Sequence, residues 1–307
     1  MKHLLSLIDW NGKDITNLIT DASKIKKTPK KYSGKLVSKT MLMLFEKPSL
    51  RTRVSFEVGM FQMGGHAIFS DAKSTPLGAK ESISDTAKVI SRYCDIITAR
   101  MFRQQDVEEL AKNASVPLIN GLTDIFHPCQ ILSDLMTIHE KKKKLKGLKL
   151  CFVGDGNNNI THDLLLGCSA AGMDISVGSP KEALPLDFIV EIARKKSKAS
   201  GSKIEITSDP KKAAENADIV YADSWMSYHV PQEEKEARIK MMKPYQVNKE
   251  LMAKAKKDSI FMNCLPAMRG YEQAADVIDG KQSIVFEQAE NRLHMQKAII
   301  LKLLGKI

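Results

Sequence analysis

Short, nearly unbroken apolar runs recur along the chain, separated by longer stretches with apolar residues at helical spacing. In the first half the runs fall at Thr40–Phe45, His66–Ser70, Asp95–Ala99 and Val116–Asn120. In the second they fall at Lys149–Gly154, Asp174–Gly178, Lys203–Thr207, Asp218–Ala222, Ser259–Asn263 and Ser283–Phe286. Runs this short, without a polar face, suit strands covered on both sides of a parallel sheet. Their alternation with helical stretches predicts an α/β protein of two doubly wound parallel-sheet domains. A helix over Pro128–Glu140 leads into a lysine-rich connector, which separates a first domain, residues 1–140, from a second, residues 148–288. The closing segment Ala289–Leu304 is amphipathic. At 307 residues the chain is long enough for each domain to bury its own core.

Polar clusters follow the predicted strand ends with regularity: Ser49–Arg53, Arg100, Asp155–Asn159, Asp223–Ser227 and Cys264–Arg269, with His127–Gln130 close behind another. In open α/β sheets, ligands bind beyond the carboxyl ends of the strands, so the active site is expected in a cleft between the two domains. The first cluster is the most telling. The run Thr40–Phe45 passes through Glu46-Lys47-Pro48 into Ser49-Leu50-Arg51-Thr52-Arg53, where helical spacing takes over until Gly64-Gly65. A helix start offers free backbone N–H groups and a positive dipole end. Hydroxyls from Ser49 and Thr52 and the guanidinium fork of Arg51 add what a phosphate dianion needs. The same residues also suit a capped helix start with surface arginines. His127, just before Pro128, reads equally as a helix-entry residue. Asp223 reads equally as a strand-end turn residue.

Composition narrows the classes. The formal charge is +11, but the lysines are spread along the chain rather than interleaved with aromatics, which points away from nucleic acid. The densest run, Lys141 to Lys144 with Lys146, reads as a solvated connector. No apolar run approaches the ~20 residues that cross a membrane, and the stretch Met1–Asp9 breaks too early for a signal peptide. A soluble, cytoplasmic protein is expected. Cys94, Cys129, Cys151, Cys168 and Cys264 show no paired or metal-ligand spacing and read as reduced thiols, with Cys151 and Cys168 in the core. There is no His-Glu-x-x-His and no Gly-x-Gly-x-x-Gly; Gly154-Asp155-Gly156 lacks the third glycine.

Phe45-x-Lys47-x-Ser49-x-Arg51-Thr52-Arg53 resembles the carbamoyl-phosphate grip of the aspartate/ornithine carbamoyltransferase family, and the resemblance continues in order along nearly the whole chain. His127-Pro128-Cys129-Gln130 is similar to the family's His-Pro-x-Gln, and Gly154 to Asn159 to its Gly-Asp-x-x-Asn-Asn. Asp223-Ser224-Trp225-Met226-Ser227 and Asn263 to Gly270 resemble the two segments that mark the ornithine branch. Glu290-Asn291-Arg292-Leu293-His294 resembles the start of the family's C-terminal helix, which implies that residues 289–307 complete the first domain. The implied reaction carries the carbamoyl group of carbamoyl phosphate to the side-chain amine of L-ornithine, giving L-citrulline and phosphate. No metal or organic cofactor is implied, because the leaving group is already activated. The implied assembly is a homotrimer or a multiple of trimers with sites near the subunit interface.

Roles follow from the same resemblance. Ser49, Arg51, Thr52 and the Leu50 backbone would bind phosphate, while Arg53 makes structural ion pairs. Arg100 would bridge phosphate and carbonyl oxygen, His127 would donate to that oxygen, and Gln130 would bind the carbamoyl amide. Cys264 and the Leu265 carbonyl would face the carbamoyl group and the attacking amine, with Arg292 a further carbamoyl-phosphate contact. Asn159 and Asp223 would hold the α-carboxylate and α-amino groups, assisted by Ser227 with Tyr228 beside it. The catalytic set is therefore Arg100, His127 and Cys264.

Several positions depart from the family. Leu50 stands where threonine is common, Asn263 replaces the histidine of His-Cys-Leu-Pro, and Met268 replaces a polar or aromatic residue. Ser-Met-Gly reads Ser227-Tyr228-His229, and the cross-subunit glutamine is Pro76, with Lys73 or Lys80 as stand-ins. These changes leave open a carbamoyltransferase for another amine, putrescine or lysine, or a non-catalytic binding protein. An end at Ile307, without an added helix, favours ornithine over putrescine.

Overall fold

The computed structural model describes residues 2–71, 81–226 and 230–307. Lys73, Pro76 and Lys80 of the expected cross-subunit loop lie outside these residues, as do Ser227, Tyr228 and His229 of the expected amine loop. The chain divides into two compact units: Met1–Leu7, Thr16–Met136 and Glu290–Ile307 form unit 1, and Ile8–Ile15 and Thr137–Ala289 form unit 2.

Unit 1 is built on β1 (Thr40–Phe45), β2 (His66–Asp71), β3 (Ile96–Arg100) and β4 (Leu118–Leu122), in spatial order β2-β1-β3-β4. Unit 2 is built on β5 (Lys149–Val153), β6 (Asp174–Gly178), β7 (Ile204–Thr207), β8 (Ile219–Ala222) and β9 (Ile260–Met262), in order β7-β6-β5-β8-β9. All these pairings are parallel, as unalternating apolar runs require. The helices begin with α1 (Gly12–Lys27), α2 (Leu50–Gln62), α3 (Ile83–Ile90), α4 (Gln104–Asn113), α5 (Pro128–Lys142), α6 (Asn159–Ala171) and α7 (Asp187–Ser200). They are followed by α8 (Pro210–Ala214), α9 (Lys235–Met242), α10 (Lys249–Met252), α11 (Ala275–Ile278) and α12 (Val285–Leu303).

The two central strands show why the sheets hold. In β5, Leu150 through Val153 are fully buried, with Phe152 against the Tyr221 ring of β8, centroids 6.2 Å apart. On one face of the unit 1 sheet, Leu44, Ile97 and Ala99 pack on Ala87 of α3 and Val107 and Leu110 of α4. Each large apolar side chain so buried contributes about 1.5–3 kcal/mol. Both sheets reverse their winding once, between β1 and β3 in unit 1 and between β5 and β8 in unit 2. Those reversals leave a crevice at the carboxyl ends of the strand pair.

Of the differences from the sequence reading, which include a two-residue shift of β4 from Val116–Asn120 to Leu118–Leu122, three are instructive. Ser283–Phe286 is not a strand: Ser283 makes one parallel bridge to Phe261, and α12 begins at Val285. Ser-Ile-Val-Phe has strand-like composition, but the Gln288 amide donates to the Ile284 carbonyl (2.9 Å), and the helical spacing that follows captures it. In β3 the ladder extends through Arg100, which registers with Phe45 and accepts from the Glu46 amide at 2.9 Å. The lysine run is not wholly solvated: α5 continues through Lys142, Lys141 pairs with Glu287 (2.6 Å) and Lys142 with Asp258 (2.9 Å). No helix of the described residues is long and apolar enough to cross a membrane.

Candidate active site

At the β1/β3 reversal of unit 1, four residues separate Phe45 from the first turn of α2. Ser49 is the N-cap, extended (φ −154°, ψ 107°), and its Oγ accepts from the Thr52 amide at 3.3 Å. The Ser49 hydroxyl donates to Thr52 Oγ1 (3.0 Å), which also accepts from Arg292 Nη2 (3.3 Å). Both lone pairs of the buried Thr52 hydroxyl are then engaged, so its own hydrogen is left to donate. Leu50 and Arg51 are exposed at the helix mouth. Arg53 points elsewhere: it pairs with Glu57 (2.9 Å) and lies 3.8 Å over the Phe69 ring, a structural role.

Arg100, His127, Gln130 and Arg292 form the buried floor. Arg292 Nη1 donates to Gln130 Oε1 (2.5 Å), while Gln130 Nε2 donates to the fully buried Asp134 (2.8 Å). These two bonds fix the amide orientation and leave Oε1 a second lone pair for an incoming N–H. Burial holds the His127 imidazole well below its usual range, and Arg292 and Arg100 add to the effect. His127 is therefore a neutral imidazole near pH 7, able to donate one N–H. Burial, with Arg100 beside it, also brings the Lys47 ammonium down to about 8. The unit 1 cluster thus gathers Ser49, Thr52, Arg100, His127, Gln130 and Arg292, with Lys47 and Asp134 as members that the motif alone left without a role.

A second polar cluster lies at the β5/β8 reversal of unit 2. Asp155 follows β5, buried Asn159 opens α6 behind the cap Asn158, and Asp223 follows β8. Cys264, just past β9, donates its thiol to Asp223 Oδ1 at 3.1 Å. Burial raises Asp223 above the usual carboxylate range, and Asp155 adds to this; the Cys264 thiol and the Ser224 amide oppose it. Burial likewise pushes Glu272 up to about 7, with the charge of Asp223 contributing. Three carboxyl groups in one neighbourhood favour a cation there. Gly156 serves packing in this turn, since a Cβ there would lie 2.6 Å from the Ala183 carbonyl oxygen.

The Cys264–Leu265 turn is set by an amide network in place of an imidazole. Asn263 is fully buried: its amide accepts from Leu265 N (2.8 Å) and donates to Gln273 Oε1 (2.9 Å), and its backbone N–H donates to Gln288 (3.0 Å). Gln273 in turn donates to the Met268 carbonyl at 3.1 Å. Leu265 is left-handed (φ 58°), a conformation that costs a non-glycine residue about 1–2 kcal/mol and needs such support. Gln273→Leu should orphan the Asn263 amide and lower stability by about 1–3 kcal/mol, read from urea midpoints. An unchanged midpoint would mean the network holds nothing. Glu272 and Gln273 carried no motif signal and became visible only through burial. Among the described residues, no three His, Cys, Asp or Glu side chains come together to hold a metal ion.

Residues 2–140 match "Aspartate/ornithine carbamoyltransferase, carbamoyl-P binding domain". Residues 146–303 match "Aspartate/ornithine carbamoyltransferase, Asp/Orn binding domain". The chain is similar to an ornithine carbamoyltransferase of Bacillus subtilis (strain 168), 48% identical over 99% of this chain and 94% of that protein. Among solved structures it is similar to an ornithine carbamoyltransferase from Pyrococcus furiosus, with a TM-score of 0.95 and 45% identity over 100% of this chain and 98% of that one. An anabolic ornithine carbamoyltransferase from Campylobacter jejuni has a TM-score of 0.93 and 35% identity, each chain covered in full (100%). With both halves matched and relatives this similar along the full length, the chain belongs to the aspartate/ornithine carbamoyltransferase family.

Proposed function

We propose that the chain transfers the carbamoyl group of carbamoyl phosphate to the δ-amine of L-ornithine, forming L-citrulline and phosphate. The observation that carries this reading is the β1/β3 reversal. There a capped helix start with hydroxyl donors adjoins Arg100, a neutral His127, and a Gln130 amide oriented by Asp134 and Arg292. A phosphate dianion fits the helix mouth with Ser49, Thr52 and Arg51. The carbamoyl oxygen fits between Arg100 and His127, and the carbamoyl –NH2 fits the remaining lone pair of Gln130. As the amine attacks, negative charge grows on that oxygen and the two donors stabilise it. The C–N bond forms, the C–O bond to phosphate breaks, and the departing phosphate is a base of suitable strength for the amine proton.

Asp223 and Asn159 supply a carboxylate for the α-ammonium and an amide for the α-carboxylate, with Ser227 and Tyr228 assigned beside them from their place in the chain. Relatives called anabolic support the biosynthetic direction, towards arginine. Citrulline formation from carbamoyl phosphate with ornithine, lysine and putrescine, compared at equal concentration, tests the reading; no citrulline from ornithine would sink it.

We also propose a homotrimer. Leu50, Val54 and Phe61 are exposed at 76%, 45% and 80% along one side of α2, and Ile68 of edge strand β2 at 48%. Contiguous apolar exposure of this kind marks a contact surface. Phe61→Asp should lower the mass seen in sedimentation from three copies to one. A variant that stays trimeric would place the interface elsewhere.

A further inference from the structure

Arg238, on α9, joins the two loops that flank the β5/β8 reversal. Its guanidinium forms an ion pair with Asp155, whose side chain is fully buried, and its Nε donates to the Trp225 carbonyl at 2.7 Å. Asp155 follows β5 and lies four residues before Asn159; Trp225 lies two residues after Asp223. The loop around Asp155 is tied further: its Oδ1 accepts from the Asn157 amide (3.0 Å), and its carbonyl accepts from Thr161 Oγ1 (3.0 Å). The Trp225 ring meets the Tyr271 ring edge-on, with centroids 6.4 Å apart. One side chain therefore spans the loops carrying both residues assigned to the amino-acid substrate.

We propose that Arg238 is a positioning residue for the amino-acid half of the reaction, cancelling the charge of Asp155 beside Asp223 and holding both loops at one spacing. The substrate part of this rests on the ornithine reading above; the electrostatic part does not. Among the described residues, the titratable groups around Asp223 are the Cys264 thiol, Asp155 and Glu272, with Arg238 the cation on Asp155. Without Arg238, the buried Asp155 charge would raise the Asp223 carboxyl further and leave less of it ionised to pair with an ammonium. Lysine in its place would keep the charge but lose the planar fork that reaches carboxylate and carbonyl together.

Cys264 reports on this directly, because its thiol is bonded to Asp223. Cys129, Cys151 and Cys168 are fully buried, so a Cys94→Ser background leaves Cys264 as the one accessible thiol. In that background the midpoint pH for iodoacetamide alkylation of Cys264 should rise by at least about half a unit in Arg238→Met, since added negative charge disfavours the thiolate. The double variant Arg238→Met/Asp155→Asn should return it to the starting value. With substrates, Arg238→Met should raise KM for ornithine by about tenfold or more, with KM for carbamoyl phosphate within about twofold. Arg238→Lys should keep the alkylation midpoint and still raise KM for ornithine. The proposal is overturned by an unmoved midpoint in folded Arg238→Met, by failure of Asp155→Asn to restore it, or by both KM values rising together. If Arg238→Met does not fold, Arg238→Lys and the double variant decide by the same measures. The alkylation arm needs no substrate, so a chain that made no citrulline would count against the ornithine reading while Arg238 was still judged.

Discussion

Arg100→Ala is expected to lower kcat/KM for carbamoyl transfer by about 1,000-fold, measured with saturating ornithine. Removing one preorganised donor to a developing oxyanion costs about 100- to 1,000-fold. Arg100 is also proposed to hold phosphate, in which case ground-state binding falls with it. Its position cannot be refilled cheaply: the residue is buried, ends β3 in register with Phe45, and its carbonyl is held by the Glu46 amide. A second signature separates this from general damage. Burial is the main cause of the low His127 pKa, but Arg100 is one of the two cations that push it further down. With Arg100 gone that pKa should rise, so the variant should show a change in rate on the acid side that the unaltered chain does not. The group is neutral above its pKa and cationic below, so the change sets in as pH falls. A loss of less than about tenfold, with no such change, would remove Arg100 from the reacting atoms.

Much of this was written in the chain because parallel strands announce themselves as short apolar runs and their carboxyl ends collect polar groups. The run Thr40–Phe45 and the run Asp174–Gly178 coincide with β1 and β6 residue for residue. Ser49 as the cap of α2, and Arg53 as an ion-pairing residue, follow from local rules that tertiary structure did not override. Ser283–Phe286 failed for the converse reason: three consecutive apolar residues carry strand composition whether or not a sheet edge is there to receive them. Lys47 stood in the motif without a role, and Asp134, Glu272 and Gln273 were silent, because their meaning is environmental. A lysine brought down to about 8 or a glutamate raised to about 7 reflects burial and neighbours remote in sequence, which periodicity does not encode. Asn263 read as a loss when seen as a missing imidazole; in the fold it is one end of an amide pair whose other end, Gln273, lies ten residues on.

Ornithine should be preferred over putrescine by about 1,000-fold or more in kcat/KM, the scale on which sites reject substrates that leave their polar groups unpaired. In the proposed site, Asp223 and Asn159 would face two charged groups on one carbon, which ornithine has and putrescine lacks. With putrescine, Asp223 would keep its raised pKa beside Asp155 and Glu272 and meet no α-ammonium. Lysine keeps both α-groups and adds one methylene, so its penalty should be smaller, about 10- to 200-fold. The attacking amine must be neutral, whereas a side-chain ammonium has a pKa near ~10.4, so the rate at subsaturating ornithine should rise about tenfold per unit above neutrality. Binding of the α-ammonium requires Asp223 ionised. A raised carboxyl pKa means that this requirement fails as pH falls, so both effects push the optimum to the alkaline side. Asp223→Asn should then cut ornithine use steeply and lower the slower putrescine rate far less, because putrescine brings no α-ammonium to that position. Equal rates for ornithine and putrescine in a direct competition would overturn the assignment of Asp223 and Asn159 and, with it, the amine.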